Sequence, residues 1–246
     1  MLRVIDANIP LKISLMRREP AGRSVDRNNY NLGEMWQFDG SGPYQQKSIV
    51  DNGIYAMHAS EYKCGFGFVK STQEHTGTQW LQFISHVVRT ARSQGHVVLY
   101  VRFDRAGEFS YEFLATVETV LDVITQLAPS KFHEGVGLQE RTNDMLNRGQ
   151  ERLLGVGQKK GDIRYVMPAR VLAQHLHNIT AARGQTKSRY SFFYGHEYDH
   201  AKHPVFIFAC QVIEYKERDD RGPHGGLNGD RATMGEWLGR EGSSHI

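Results

Sequence analysis

Three carboxylates stand in local contexts that can do chemistry. Asp104 lies in Val101-Arg102-Phe103-Asp104-Arg105-Ala106-Gly107-Glu108-Phe109, and Glu140 follows after 35 intervening residues in Gly137-Leu138-Gln139-Glu140-Arg141-Thr142-Asn143. Asp39 sits in Trp36-Gln37-Phe38-Asp39-Gly40-Ser41-Gly42-Pro43. Carboxylate oxygens are hard ligands, and a few of them suffice for Mg²⁺, which keeps several waters of its own. Two divalent ions about 4 Å apart can stabilise charge on both the attacking and the leaving oxygen of a phosphodiester. Three acids brought to one place therefore suggest two-metal phosphoryl transfer. With 27 acidic residues in the chain, spacing alone decides little, so the surrounding elements must carry the argument.

Those elements are legible. The apolar, β-branched run 96–103 predicts a buried strand with Asp104 at its C-terminal end, where α/β sheets usually place their chemistry. Residues 138–154 put Leu138, Met145, Leu146, Leu153 and Leu154 at helical spacing, with Glu140, Asn143, Asn147 and Glu151 on the other side. Glu140 is thus expected in the first turn of a helix. Phe38 belongs to a third segment, a strand carrying Asp39 and closed by the turn signal Gly40-Ser41-Gly42-Pro43. Two strand-like runs in 54–69, split by Ser60-Glu61-Tyr62-Lys63, complete a meander with it. Helices are expected over 78–94, capped by Gly95, and over 164–183 with Val171, Leu172, His175 and Leu176 on one side. Glu108 should open an amphipathic helix through Phe109, Phe113, Leu114 and Val117, residues 122–127 form a short strand, and 129–137 form a mobile loop holding Glu134.

The three contexts resemble the integrase cores of retroviruses and LTR retrotransposons, and copia-type elements in particular. The likeness rests on Asp39 with Gly42-Pro43, on Phe103-Asp104-Arg105-Ala106-Gly107-Glu108-Phe109, and on Val136-Gly137-Leu138-Gln139-Glu140-Arg141-Thr142-Asn143. Tyr194-Gly195-His196 and the run 203–212 resemble the stretch that follows such cores. The resemblance implies a ribonuclease-H-like α/β fold: a mixed five-stranded sheet flanked by helices, followed by a short β-rich and partly disordered C-terminal extension. It implies a polynucleotidyl transferase with endonuclease activity that trims DNA 3′ ends and joins them to a target during retrotransposon integration. It also implies two Mg²⁺ ions, with Mn²⁺ as substitute: Asp39 would bridge both, Asp104 would hold one and Glu140 the other. Partners would be element-end and target DNA, with a homo-oligomer formed on DNA.

Departures from the family pattern keep a second reading open. Val136 replaces the usual Asn, Ala106 one of two usual glycines, and Arg105 sets a cation beside Asp104. The second reading is a catalytically inactive, DNA-binding remnant. A third comes from His196-Glu197-Tyr198-Asp199-His200, a His-Glu-x-x-His match that would bind Zn²⁺ if a helix placed both histidines on one face. Gly195 directly before it, Pro204 after it and the lack of an apolar stripe argue against that helix.

The net charge of +3 permits a polyanionic partner. Arg141 and Arg148 on the Glu140 helix, with Lys159 and Lys160 beyond it, are candidate phosphate contacts, and Asn143 and Asn147 are candidate contacts to bases or sugars. No apolar run approaches a bilayer's width and the N-terminus lacks a signal-peptide pattern, so no membrane association is expected. An intracellular chain is expected, nuclear if the element is eukaryotic. The only cysteines, Cys64 and Cys210, read as buried thiols and leave no zinc-binding His-His-Cys-Cys module. The expected organisation is a flexible basic lead over 1–30, a catalytic core over 31–183, and an extension over 184–246, mostly disordered beyond about 216.

Overall fold

Strand β1 (Met35–Ser41) starts with four consecutive buried residues, the signature of a central strand covered on both faces. It pairs antiparallel with β2 (Tyr55–Glu61), which pairs antiparallel with β3 (Gly67–Thr72). On its other side β1 pairs in parallel with β4 (Tyr100–Phe103), and β4 in parallel with β5 (Ile124–Leu127). The order β3-β2-β1-β4-β5 makes the mixed five-stranded, ribonuclease-H-like sheet that the sequence led us to expect. The computed structural model describes residues 29–103, 109–127, 133–182, 184–206, 208–215 and 232–238, with only the backbone described over 133–141, 211–215 and 232–237.

The parallel connections are helical. Helix α1 (Gly77–Ser93) is capped by Thr76, whose side chain accepts from the Gln79 amide, and Gly95 follows its end at φ +83°. It buries Trp80, Phe83, Ile84, Val87, Val88 and Ala91. Helix α2 (Tyr111–Leu121) starts later than expected, capped by the Ser110 side chain; Glu108 lies outside the described residues. These two helices build one core with Trp36, Phe38, Phe103 and Phe193, each such side chain contributing about 1.5–3 kcal/mol by leaving water.

Helix α3 (His133–Val156) and helix α4 (Val166–Ile179), joined through a 3₁₀ turn at Ile163–Tyr165, build a second core around Leu146, Leu153, Leu154, Tyr165, Leu172 and Val69 of β3. Strand alternation separates the two layers. Phe38 meets Phe83 of α1 at 5.9 Å between ring centroids, whereas the next residue, Asp39, meets Asn143 of α3. A short helix α5 (Arg189–Tyr194) then returns Phe193 to the first core, stacked on Phe66 at 4.3 Å. Beyond it, β6 (Cys210–Tyr215) pairs antiparallel with β7 (Ala232–Trp237), a strand inside the tail expected to be mostly disordered.

Several boundaries move. The run 96–99 precedes β4 instead of belonging to it, because the Leu99 and Tyr100 amides both donate to Glu34 O and pairing with β1 starts only at Tyr100. Helix α3 begins at His133, so Glu140 stands about two turns in and not in the first turn, and Glu134 belongs to the helix and not to a loop.

Candidate functional site

Register brings β1, which carries Asp39, alongside β4, whose last residue precedes Asp104 in the sequence. In the parallel β1–β4 pair, Phe38 lies opposite Phe103, and the residues that follow are Asp39 and Asp104. Asp104 itself lies outside the described residues, as do its neighbours to Glu108. Asp39 is half-buried, with Oδ1 accepting from the Gly40 amide at 2.8 Å and Oδ2 accepting from Asn143 Nδ2 at 2.5 Å. That second bond docks α3 onto the end of β1. Glu140 lies three residues before Asn143 on the same helix, and residues so spaced share a face. Only the backbones of Glu140 and Arg141 are described. Among the described residues, no group of three His, Cys, Asp or Glu side chains is placed to hold a metal.

Behind Asp39 lies a polar network that periodicity did not reveal. Arg170 of α4 is 2% exposed, yet it donates from Nη1 to Asn147 Oδ1 at 2.6 Å, from Nη2 to Asn143 Oδ1 at 3.4 Å and from Nε to His58 Nε2 at 3.0 Å. His58, opposite Asp39 in the β1–β2 register, also meets Ser41 Oγ at 3.3 Å, and Ser41 Oγ meets Tyr44 OH at 3.0 Å. A guanidinium only donates, so His58 Nε2 must accept and the imidazole proton sits on Nδ1, a buried atom without a hydrogen-bond partner. Burial, and then the Arg170 charge, hold the His58 pKa well below the ordinary imidazole value. Burial likewise lowers the Arg170 pKa, against the opposing pull of Tyr44 and Asp39.

The signal for Arg170 was present but pointed the wrong way. Arg170, Gln174 and Asn178 recur at every fourth position, a polar stripe that normally marks a solvated face, yet all three are buried. Asn178 pairs with both backbone groups of Gly67 on β3: Oδ1 accepts from the amide at 3.0 Å and Nδ2 donates to the carbonyl at 2.8 Å. A Cβ at Gly67 would come within 2.8 Å of Gln174 Nε2 and of the Ala59 carbonyl, so this close approach requires glycine.

The expected nucleic-acid contacts divide. Asn143 and Asn147 are engaged with Asp39 and Arg170. Arg148 is exposed, with Nε donating to the Asp144 carbonyl, and Lys160 is exposed. Lys159 Nζ lies 4.6 Å over the Tyr165 ring, a cation–π contact. Arg164 forms a fork with Asp162 at 2.9 and 2.7 Å.

The zinc-protease reading lacks its helix. Gly195, at φ +77°, caps α5 directly before His196, and 196–200 is irregular. His196 Nδ1 meets the Glu197 carbonyl, and the Glu197 carboxylate accepts from Ser188, so the motif's parts face local partners. Cys64 and Cys210 are free, half-buried thiols, and burial followed by the Glu61 charge raises the Cys64 pKa. No helix among the described residues is long and apolar enough to cross a membrane.

No protein-family model and no curated protein sequence matches the chain. Solved structures do. A simian T-cell lymphotropic virus intasome, in complex with the PP2A regulatory subunit B56 gamma, aligns with a TM-score of 0.52 at 17% identity, over 90% of this chain and 72% of that one. The likeness is one of fold. The catalytic core domain of BIV integrase aligns with a TM-score of 0.48 at 18% identity, over 65% of this chain and 93% of that one.

Proposed function

We propose that the chain is an integrase-like polynucleotidyl transferase of the copia type, acting on DNA 3′ ends with Asp39, Asp104 and Glu140 as its metal-holding carboxylates. One observation carries this reading: the Phe38–Phe103 register pair sets the residues preceding Asp39 and Asp104 side by side, and α3, the helix of Glu140, docks on Asp39 through Asn143. The donor set fits Mg²⁺ or Mn²⁺. It is all carboxylate oxygen, and Asp39 Oδ2 is met by a side-chain amide, which can be displaced, and not by a fixed backbone group. Two bound ions would supply charge stabilisation to the attacking and leaving oxygens. Asp39, Asp104 and Glu140 would hold them.

The nucleophile is water when an end is trimmed and a DNA 3′-hydroxyl when it is joined. Arg141, Arg148, Lys159 and Lys160 supply cations along and beyond α3 for phosphate contact, with Asn143 and Asn147 nearest the reacting end. The protein acts as an oligomer on element-end and target DNA, in the nucleus if the element is eukaryotic, and the core extends over 31–183. A second reading, a DNA-binding remnant without chemistry, is favoured by one specific feature: the buried Arg170 cation already stands behind Asp39.

Strand rejoining on a branched DNA substrate separates the two, because it asks least of any flanking module. The wild-type chain with Mg²⁺ or Mn²⁺ is expected to rejoin strands, and Asp39→Asn, Asp104→Asn and Glu140→Gln are each expected to abolish it. Activity surviving one substitution would remove that residue from the site. DNA binding that needs no metal and leads to no chemistry would establish the remnant.

A further inference from the structure

Arg170 has no counterpart in the chemistry assigned so far. It is a full cation held 2% exposed, and the three groups it donates to, Asn143, Asn147 and His58, are all neutral. A buried charge is costly unless it is hydrogen-bonded and paired. The pairing runs through Asn143, whose Oδ1 accepts from the Arg170 cation while its Nδ2 donates to the Asp39 carboxylate. An amide has one accepting and one donating end. A guanidinium can only donate and a carboxylate can only accept, so Arg170 and Asp39 together hold Asn143 in the one orientation that turns its donor end to Asp39. The donor end therefore meets Oδ2, one of the two carboxylate oxygens that could hold a metal ion.

We infer that Arg170 is a positioning residue: it holds Asn143 as a donor to Asp39 Oδ2, so that a divalent ion competes with this amide for that oxygen and is held more weakly for it. The inference rests on the proposed metal site at Asp39. The displaced bond is to a charged acceptor and lies next to a fixed cation, and bonds of that kind contribute roughly one to two powers of ten in an equilibrium constant. Ion binding in this protein is thereby coupled to the seating of α4 against α3. His58 adds to the hold, since its accepting Nε2 keeps the guanidinium pointed at the two asparagines.

Mn²⁺ binding, read by the loss of the free-ion electron paramagnetic resonance signal on titration of the full chain without DNA, tests this directly. Arg170→Met and Asn143→Ala are each expected to tighten Mn²⁺ binding by about ten-fold or more, and the double variant is expected to gain no more than the better single, because both remove one relay. A merely structural role for Arg170 would loosen or leave unchanged the affinity for the ion. No gain in either variant, with folding verified by circular dichroism, overturns the inference. If Arg170→Met does not fold, Asn143→Ala alone decides. Asp39→Asn is the control: should it bind Mn²⁺ as well as the wild type, the metal site at Asp39 is wrong and the inference falls with it, an outcome distinct from a latch that does not exist.

Discussion

Truncating Asn178 measures how firmly α4 is seated on the sheet. Asn178 is 1% exposed, and its amide satisfies both the N–H and the C=O of Gly67, while Oδ1 also accepts from Gln174 at 2.9 Å. Asn178→Ala strands those two backbone groups in a site closed to solvent. At about 1–3 kcal/mol for each buried group left unsatisfied, the cost is about 2–6 kcal/mol. Water entering the space vacated by the amide recovers part of it, which sets the expectation at about 3–4 kcal/mol. Urea unfolding should show this as a lower midpoint at unchanged slope, and thermal unfolding as a fall in Tm of roughly 10 °C. Asn178→Asp supplies the signature that a generic packing loss lacks. The carboxylate keeps the acceptor for the Gly67 amide but turns a second acceptor toward the Gly67 carbonyl, and burial raises its pKa. A folded state that takes up its proton before the unfolded chain does gains stability as pH falls. Asn178→Asp should therefore recover stability relative to wild type between about pH 7 and pH 5. A cost below about 1 kcal/mol for the alanine variant, or no acid recovery for the aspartate variant, would refute the pairing.

His58 makes the opposite pH prediction. Its folded pKa is depressed, so below the ordinary imidazole pKa the unfolded chain binds the proton first and stability is lost as pH falls. Between pH 7.5 and 5.5 wild type should lose more stability than His58→Asn in urea unfolding, by up to about 1.4 kcal/mol, and equal losses would show that His58 is not held neutral. Gly40→Ala would place a Cβ 2.6 Å from both Cε1 and Nε2 of His75 and 3.1 Å from Trp80 Cζ2, so a loss of about 1–3 kcal/mol is expected, and a neutral result would contradict that packing. Mg²⁺ at saturating concentration should raise the Tm of wild type by binding the folded state, about 2.7 kcal/mol at a hundred times its dissociation constant, and Asp39→Asn should abolish the shift. A shift retained in Asp39→Asn would move the metal elsewhere.

What the sequence made legible is what repeats locally. Helix α1 was readable because Trp80, Phe83, Ile84, Val87 and Val88 recur at helical spacing and Gly95 ends them. The start of α3 was not, because Gly135 and Gly137 lower helix propensity and the adjoining chain overrides them. The onset of β4 was misread because Val97 and Leu99 look like core yet are 65% and 40% exposed. The Arg170 network was invisible for a stronger reason. Its partner His58 lies 112 positions away and the Asn178 partner Gly67 lies 111 away, and a polar stripe on a helix says nothing about distant groups that will satisfy it. The His-Glu-x-x-His match failed in the opposite sense, since its residue types were present but the helix that gives them meaning ends at Gly195.

Asp39 and Asp104 each directly follow a phenylalanine, and for Asp39 that neighbour decides the face on which the carboxylate emerges. Phe38 and Phe103 are both buried, sit opposite one another in the β1–β4 register, and hold their rings 5.8 Å apart. Side chains on a strand alternate between faces, so a one-residue slip of β1 would carry Phe38 to the face of α3 and bring Asp39 into the aromatic core beneath α1. Exposing one buried phenylalanine forfeits about 1.5–3 kcal/mol, and burying an unpaired carboxylate costs more. The register of β1 is thus locked by the core. That same lock fixes the face on which Asp39 emerges and leaves α3 and α4 to decide, through Asn143 and Arg170, what the carboxylate meets there.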